Sequence, residues 1–295
     1  MKKIFAFCGA LLLGWTAGRA QNRKAPENIP AGDHSLLWKI SGKGLKSPSY
    51  LFGTIHMICP DDYLWTPAMQ RALDQSRKVA FELDMDDPQL SMQVAMGMML
   101  PPGKTLKDFY TEAEYNELKA AVNKNAGMSI DMLQTLKPFA VMSMLASRSV
   151  DCSTPDSYEG NIMKAVSSSG KEIVGLEAAQ DQIDVISKIN ADSAAHMLLK
   201  VTREMDEMKT QFADMIAAYK QQDLPALYEL IIASPDYKED LNTLLFDRNR
   251  KWIPVITRLC KAQSTFVAVG AGHLWGDQGV ISLLRKAGYT VSAIK

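Results

Sequence analysis

Four runs of strand-forming apolar residues punctuate this chain without alternating with polar positions: Tyr50 to Ile55, Lys78 to Leu83, Glu172 to Leu176 and Phe266 to Gly270. A strand with one wet face alternates, so unbroken runs predict strands buried on both faces. Ser35 to Ile40 and Ser49 to Ile55 flank Gly42-Lys43-Gly44, which predicts a paired hairpin, and Tyr289 to Ile294 predicts a closing strand. The intervening stretches carry helical spacing: Pro67 to Gln75, then about 88–150, a unit opening near Ser157, roughly 180–262, and 277–287. Thr111-Glu112-Ala113-Glu114 is a capping box, and Pro138 suits the first turn of another helix. Breaks are expected near Asp223-Leu224-Pro225 and Ser234-Pro235.

This alternation predicts an α/β fold in which a central mixed β-sheet is covered by helices. The helical blocks at about 88–150 and 185–260 are expected to be insertions forming a cap. Two of the strands end in Gly-x-x-His, at Gly53-Thr54-Ile55-His56 and Gly270-Ala271-Gly272-His273. Two others end in a glutamate, at Phe81-Glu82-Leu83 and Leu176-Glu177. The echo is consistent with a pseudo-twofold internal repeat.

The whole chain of 295 residues carries 33 basic and 33 acidic side chains. Its first twenty residues read as a signal peptide: Lys2 and Lys3, an apolar Ile4 to Gly18, and a small-x-small site at Gly18-Arg19-Ala20. Cleavage there removes Lys2, Lys3 and Arg19, taking the formal charge from 0 to −3. Residues 21–34 are expected to form a flexible leader, and residues 35–295 one domain without a membrane-spanning segment. An exported, periplasmic or secreted product follows. With no basic run, nucleic acid is a poor partner. Cys59, Cys152 and Cys260 remain after cleavage; Cys59–Cys152 is the favoured pair, against three unpaired thiols.

The chain has four histidines, two of them in the matching strand-end contexts. In an open α/β sheet the carboxyl ends of the strands are where ligands bind. Two imidazoles and a carboxylate with an open position make a catalytic metal set, so His56, His273 and Glu82 are candidate ligands. The bland alternative is a pair of strand-capping histidines bonded to carbonyls. Glu177 is the second carboxylate, and Asp84 would share the side of Glu82 were that strand to continue. Asp277 suits either a brace for His273 or a helix cap. Arg248 and Asn249 suit an oxyanion or a substrate carboxylate, against a surface ion pair. Tyr158-Glu159, near a helix start, carries the same ambiguity. Met85, Met92, Met96 and Met99 read first as core and second as an adaptable groove. His34 and His196 read as structural or surface residues.

Other motifs are missing. There is no His-Glu-x-x-His and no Gly-x-Ser-x-Gly, and Gly103-Lys104-Thr105 lacks the strand and first glycine of a phosphate loop. Gly270-x-Gly272 follows a strand but meets Trp275 where a dinucleotide loop needs its third glycine.

The paired motifs Phe52-Gly53-Thr54-Ile55-His56 and Val269-Gly270-Ala271-Gly272-His273-Leu274, with Glu82, Glu177 and Arg248-Asn249 between them, resemble the TraB/GumN family, which includes the Tiki proteins. The resemblance covers about residues 35–295. It implies a metal-dependent protease, supported in Tiki proteins by manganese or cobalt, with His56 and His273 at the metal and Glu82 as ligand or general base. Zinc is a third candidate ion. The resulting expectation is an exported metal-dependent hydrolase, in the first instance a peptidase acting on a peptide or protein substrate. Glu177, or Glu82, would accept a proton, and Arg248 or Asn249 would steady the oxyanion. The alternative is a non-enzymatic peptide- or haem-binding envelope protein on the same fold.

Overall fold

Six strands form a single mixed sheet in a computed structural model that describes residues 34–232 and 240–295. They are β1 (Leu37–Ser41), β2 (Ser49–Thr54), β3 (Lys78–Phe81), β4 (Glu172–Gly175), β5 (Thr265–Gly270) and β6 (Thr290–Ile294). Their order is β4-β3-β5-β2-β1-β6. β2, β3, β4 and β5 run parallel, and β1 is antiparallel to both of its neighbours. β2 and β3 are buried along their whole length, as is β5 up to Gly270. That explains why their sequences lack a polar alternate face.

The two Gly-x-x-His strands are neighbours, with Gly53 opposite Val269 and Thr54 opposite Gly270. The two glutamate strands are also neighbours. Like motifs therefore lie side by side, and all four strand ends open onto the same edge of the sheet. Gly53 has a steric reason: a Cβ there would stand 2.9 Å from Leu274 Cδ1 and 3.2 Å from Ala271 Cα. The turn after β5 is pressed directly onto β2.

The helices are α1 (Pro67–Gln75), α2 (Leu90–Gly97), α3 (Glu112–Ala126), α4 (Pro138–Ala146), α5 (Tyr158–Val166), α6 (Ala179–Lys188), α7 (Ala191–Arg203), α8 (Met205–Lys220), α9 (Leu224–Ile232), α10 (Asp247–Ala262) and α11 (Val280–Lys286). Local chemistry sets many of their starts. Thr66 and Thr111 accept from the backbone N–H three residues on, and Pro67 and Pro138 occupy first turns. None of the described helices is long and apolar enough to cross a membrane. The signal-peptide reading, and the leader up to Asp33, lie outside the described residues.

Two apolar clusters result. The first surrounds the sheet and includes Trp38, Phe52, Phe81, Tyr158, Tyr219, Trp252 and Phe266. The second is wholly helical and includes Leu106, Leu118, Ile130, Val141, Leu145, Ile186 and Leu198. The expected cap is thus real, but its second boundary differs from the sequence pattern. α6 and α7 join the cap, whereas Trp252, Ile256 and Leu259 put α10 against the sheet. α8 bridges the two, with Met205 and Met208 in the cap cluster and Met215, Ile216 and Tyr219 in the sheet cluster. A disulfide joins Cys59 to Cys152, as favoured from sequence, and Cys260 is free and buried.

Candidate functional site

β3 ends at Phe81, so the chain turns immediately and Glu82 goes inward while Asp84 is left exposed. After β4 the backbone stays attached to that turn, Glu177 N–H donating to Glu82 O at 3.0 Å. This fixes two carboxylates side by side at the sheet edge. α10 supplies their cation. A π-helical turn at Asn242–Phe246 leads directly into α10, and such turns often mark functional positions. One residue into α10, Arg248 is 7% exposed.

Every N–H of the Arg248 guanidinium has an acceptor. Nε donates to Glu177 Oε1 at 3.0 Å, and one terminal nitrogen donates to Glu82 Oε2 at 2.6 Å and Glu177 Oε1 at 2.5 Å. The other terminal nitrogen donates to Leu244 O at 3.1 Å and lies 3.2 Å from His273 Nε2. Gln182 Nε2 and Trp252 Nε1 donate to Glu177 at 2.9 and 3.1 Å. The Trp252 ring stacks against both the guanidinium and the His273 imidazole, 4.8 and 4.5 Å from their centres.

Electrostatics follow from this geometry. Burial alone would raise the Glu82 carboxyl, but Arg248, the two histidines and the Gly270 N–H at 2.9 Å outweigh it and bring the pKa down to about 2. Burial is the largest influence on His273 and lowers it to about 3, with Arg248 and His56 adding to the effect and Glu82 opposing it. A neutral imidazole fits its bonds. Asn249 Nδ2 donates to His273 O and Gln278 O, so Asn249 Oδ1 is the acceptor for His273 Nδ1–H at 2.7 Å. The lone pair is then on Nε2, towards Arg248.

His56 behaves oppositely. Burial is the largest single influence and lowers its pKa, but Glu159 and Glu82 together outweigh it, and the imidazole rises to about 9. His56 Nδ1 lies 3.3 Å from Glu159 Oε1, an ion-pair distance without hydrogen-bond alignment. Glu159 is itself held by Thr54 Oγ1 at 2.7 Å and Ser157 Oγ at 2.9 Å. The three groups meet around Gly270. A Cβ built there would stand 3.3 Å from Glu82 Oε1, 3.7 Å from His273 Cδ2 and 3.8 Å from His56 Nε2. Beside them is a cavity of about 100 Å³, and of the six singled-out residues the two histidines line it.

The chain was compared with known proteins. A sequence profile of the TraB/PrgY/gumN family matches residues 36–293. The chain belongs to that family. Among curated relatives of this TraB-family chain, metalloprotease TIKI2 of Danio rerio is 24% identical over 88% of the chain and 60% of its own length. Metalloprotease TIKI2 of Xenopus tropicalis is 25% identical over 88% and 59%. A metalloprotease TIKI homologue of Nematostella vectensis is 24% identical over 96% and 74%. The chain spans about 60% of the length of the first of these relatives. No solved structure matches it.

These names imply a metal. Among the described residues no three His, Cys, Asp or Glu side chains are grouped as a ligand set. What does fit is the chemistry of the imidazole pair. Each Nδ1 faces an oxygen, of Glu159 or Asn249, the usual support for a metal-bound histidine, and His273 Nε2 would exchange its 3.2 Å contact with Arg248 for the ion. The charge fits too. With His56 protonated, as a pKa of about 9 implies, three carboxylates face two cations, a surplus of one negative charge that becomes two once His56 gives up its proton. Glu82 is the carboxylate beside His273, its Oε1 3.9 Å from His273 Nε2.

The structure brings together all six residues singled out from sequence: His56, Glu82, Glu177, Arg248, Asn249 and His273. Arg248 is not a surface ion pair, and its donors are already occupied. Asp277 is exposed, its place beside His273 taken by Asn249, and α11 starts later, at Val280. His34 bonds Asp223 and exposed His196 bonds Asp192 O, both away from the site. The core reading of the methionines holds for Met85, which packs against the sheet cluster, and fails for the other three. Met92, Met96 and Met99 are 61%, 70% and 43% exposed, because α2 buries Val94 and its neighbour Met98 follows on that face. Glu159 was ambiguous from sequence and proves to hold His56. Gln182 and Trp252 gave no sequence signal, since neither has a distinctive motif.

Proposed function

We propose that this protein is an exported metal-dependent hydrolase, a peptidase, in which His56 and His273 hold the ion with Glu82 as the carboxylate. The observation that carries it is the imidazole pair beside Glu82 and Gly270, His273 buried with Nδ1 bonded to Asn249 and His56 half-buried with Nδ1 at ion-pair distance from Glu159. Manganese, cobalt and zinc all accept such donors. The ion, when bound, would supply Lewis-acid polarisation of a scissile carbonyl and activation of water.

The chain's own residues prepare that chemistry. Asn249 keeps the His273 proton on Nδ1, and Glu159 orients His56, which must shed a proton to ligate. Arg248 keeps Glu82 ionised, and a carboxyl near 2 is suited to ligation rather than to general-base work at neutral pH. Glu177, Gln182 and Trp252 hold Arg248. In this reading Arg248, Asn249 and Glu177 are positioning residues. Export is supported by the amino-terminal pattern and by the disulfide, which belongs to oxidising compartments. The haem reading has less support, because small-molecule pockets usually measure about 300–1,000 Å³.

The test is elemental analysis of the purified protein loaded with manganese, cobalt or zinc, beside His273→Ala, with hydrolysis of a peptide library followed on the same samples. One ion per chain with metal-dependent cleavage, both lost in the variant, is expected. Undiminished cleavage in His273→Ala would sink the proposal.

A further inference from the structure

The cavity next to His56 and His273 lies on the seam between the two apolar clusters. The cap contributes Ala146, Met208 and the segment after α4, and the sheet side contributes Phe212, Met215, Leu227 and Ile231. Most polar groups in its wall are already spent: Thr54 Oγ1 on Glu159, Tyr219 O–H on Gly53 O, His273 on Asn249. Ser149 is different. It lines the cavity, is 3% exposed, and its Oγ has no hydrogen-bond partner among the described residues. A buried hydroxyl left unpaired is costly, and proteins rarely keep one that nothing satisfies.

We propose that this cavity is the subsite for one aliphatic side chain of a bound peptide, of leucine or methionine size, and that Ser149 Oγ hydrogen-bonds the peptide main chain beside it. Three observations converge. The walls are mostly apolar, the volume is about 100 Å³, and one lining residue, Ser149, has a buried hydroxyl without a partner. An apolar cavity of about 150 Å³ accepts benzene, so this one suits an aliphatic chain better than an indole. Met208 and Met215 are adaptable wall residues, which predicts graded rather than absolute preference. A fatty acyl chain would fill the same walls but offers no amide to Ser149. The inference rests on the hydrolase reading only in calling the bound peptide a substrate.

The experiment titrates the full, metal-free chain with N-acetyl amino-acid amides of alanine, norvaline, leucine, methionine and tryptophan, followed by NMR. Affinity is expected to rise about fourfold per added methylene and to fall at tryptophan. Ser149→Ala, which removes an unsatisfied hydroxyl and so leaves the fold intact, is expected to weaken every amide about fivefold while keeping their order. Ile231→Phe, at a half-buried position, should flatten the series by filling the cavity. A flat series in the native chain, no binding of any amide, or Ser149→Ala without effect would overturn the proposal, as would octanoate binding that outcompetes the amides. No turnover is read, so this result and that of the hydrolase test stand or fall separately.

Discussion

The sheet cluster and the cap cluster are built by different rules. In the first, parallel strands carry uninterrupted apolar runs, and their carboxyl ends deliver His56, Glu82, Glu177 and the Gly270–His273 turn to one edge. In the second, short amphipathic helices pack on one another, and their contribution to the site is a wall: Ala146, Ser149 and Met208. The charged groups belong to the sheet region, and the apolar wall is shared with the cap. Each can therefore be perturbed with the other left in place.

The largest effect should come from the ionic network on the sheet side. Arg248→Met leaves two buried carboxylates without their cation, and such removals cost roughly 3–5 kcal/mol. Urea unfolding would measure it; a loss below about 1 kcal/mol would mean the network does not hold this edge. Next is the disulfide between the regions. Replacing Cys59 and Cys152 together by serine opens a 93-residue separation, and should cost roughly 2–4 kcal/mol. Limited proteolysis of that variant should cut the cap before the sheet, and simultaneous cutting would deny that the cap is the looser part.

Ile130→Val, buried in the cap, should cost about 1 kcal/mol. Hydrogen exchange should show the loss confined to cap amides, whereas loss spread through β2 and β5 would make the two clusters one cooperative unit. The smallest effect concerns Asp84, on the link from β3 to α2. Burial, then the hydrogen bond and charge of Asp86, push its carboxyl up to about 6. A folded pKa above the unfolded value near 3.9 means that ionisation disfavours folding. Stability is therefore fullest below about pH 4 and declines by a few tenths of a kcal/mol, solvent screening considered, as pH rises through 6. Carboxyl NMR should show the raised midpoint, and Asp86→Asn should lower it.

Much of the sheet region could be read directly. Burial on both faces writes itself into a sequence as an unbroken apolar run, and α1 and α3 announce their starts through Thr66-Pro67 and Thr111. That His56, His273, Glu82 and Glu177 share one sheet edge was also legible, because glycine, histidine and glutamate at strand ends are local patterns; Arg248 and Asn249, on α10, were open to a surface ion pair as well. Their partnerships were not. Arg248 meets Glu82 across 166 positions and Glu177 across 71, and nothing local records a pairing set by crossover connections. The same limit put forward Asp277, four residues from His273, as a brace or a helix cap, and gave Asn249, which reaches His273 from another element, no such role. On α2 the spacing of Met92, Met96 and Met99 was helical as expected, but periodicity cannot say which face a cap helix turns inward.

β5 sits in the middle of the sheet, between β3 and β2, though it is the fifth strand to be made. Until β5 takes its place, β2 and β3 have no direct ladder between them, and more than 180 residues separate β3 from the strand that fills the slot. Only when β5 slides in does Gly270 N–H reach Glu82 and His273 reach Asn249. A fold completed in this order carries its own interlock: without β5 the groups at the ends of β2 and β3 have nothing to hold them at one edge.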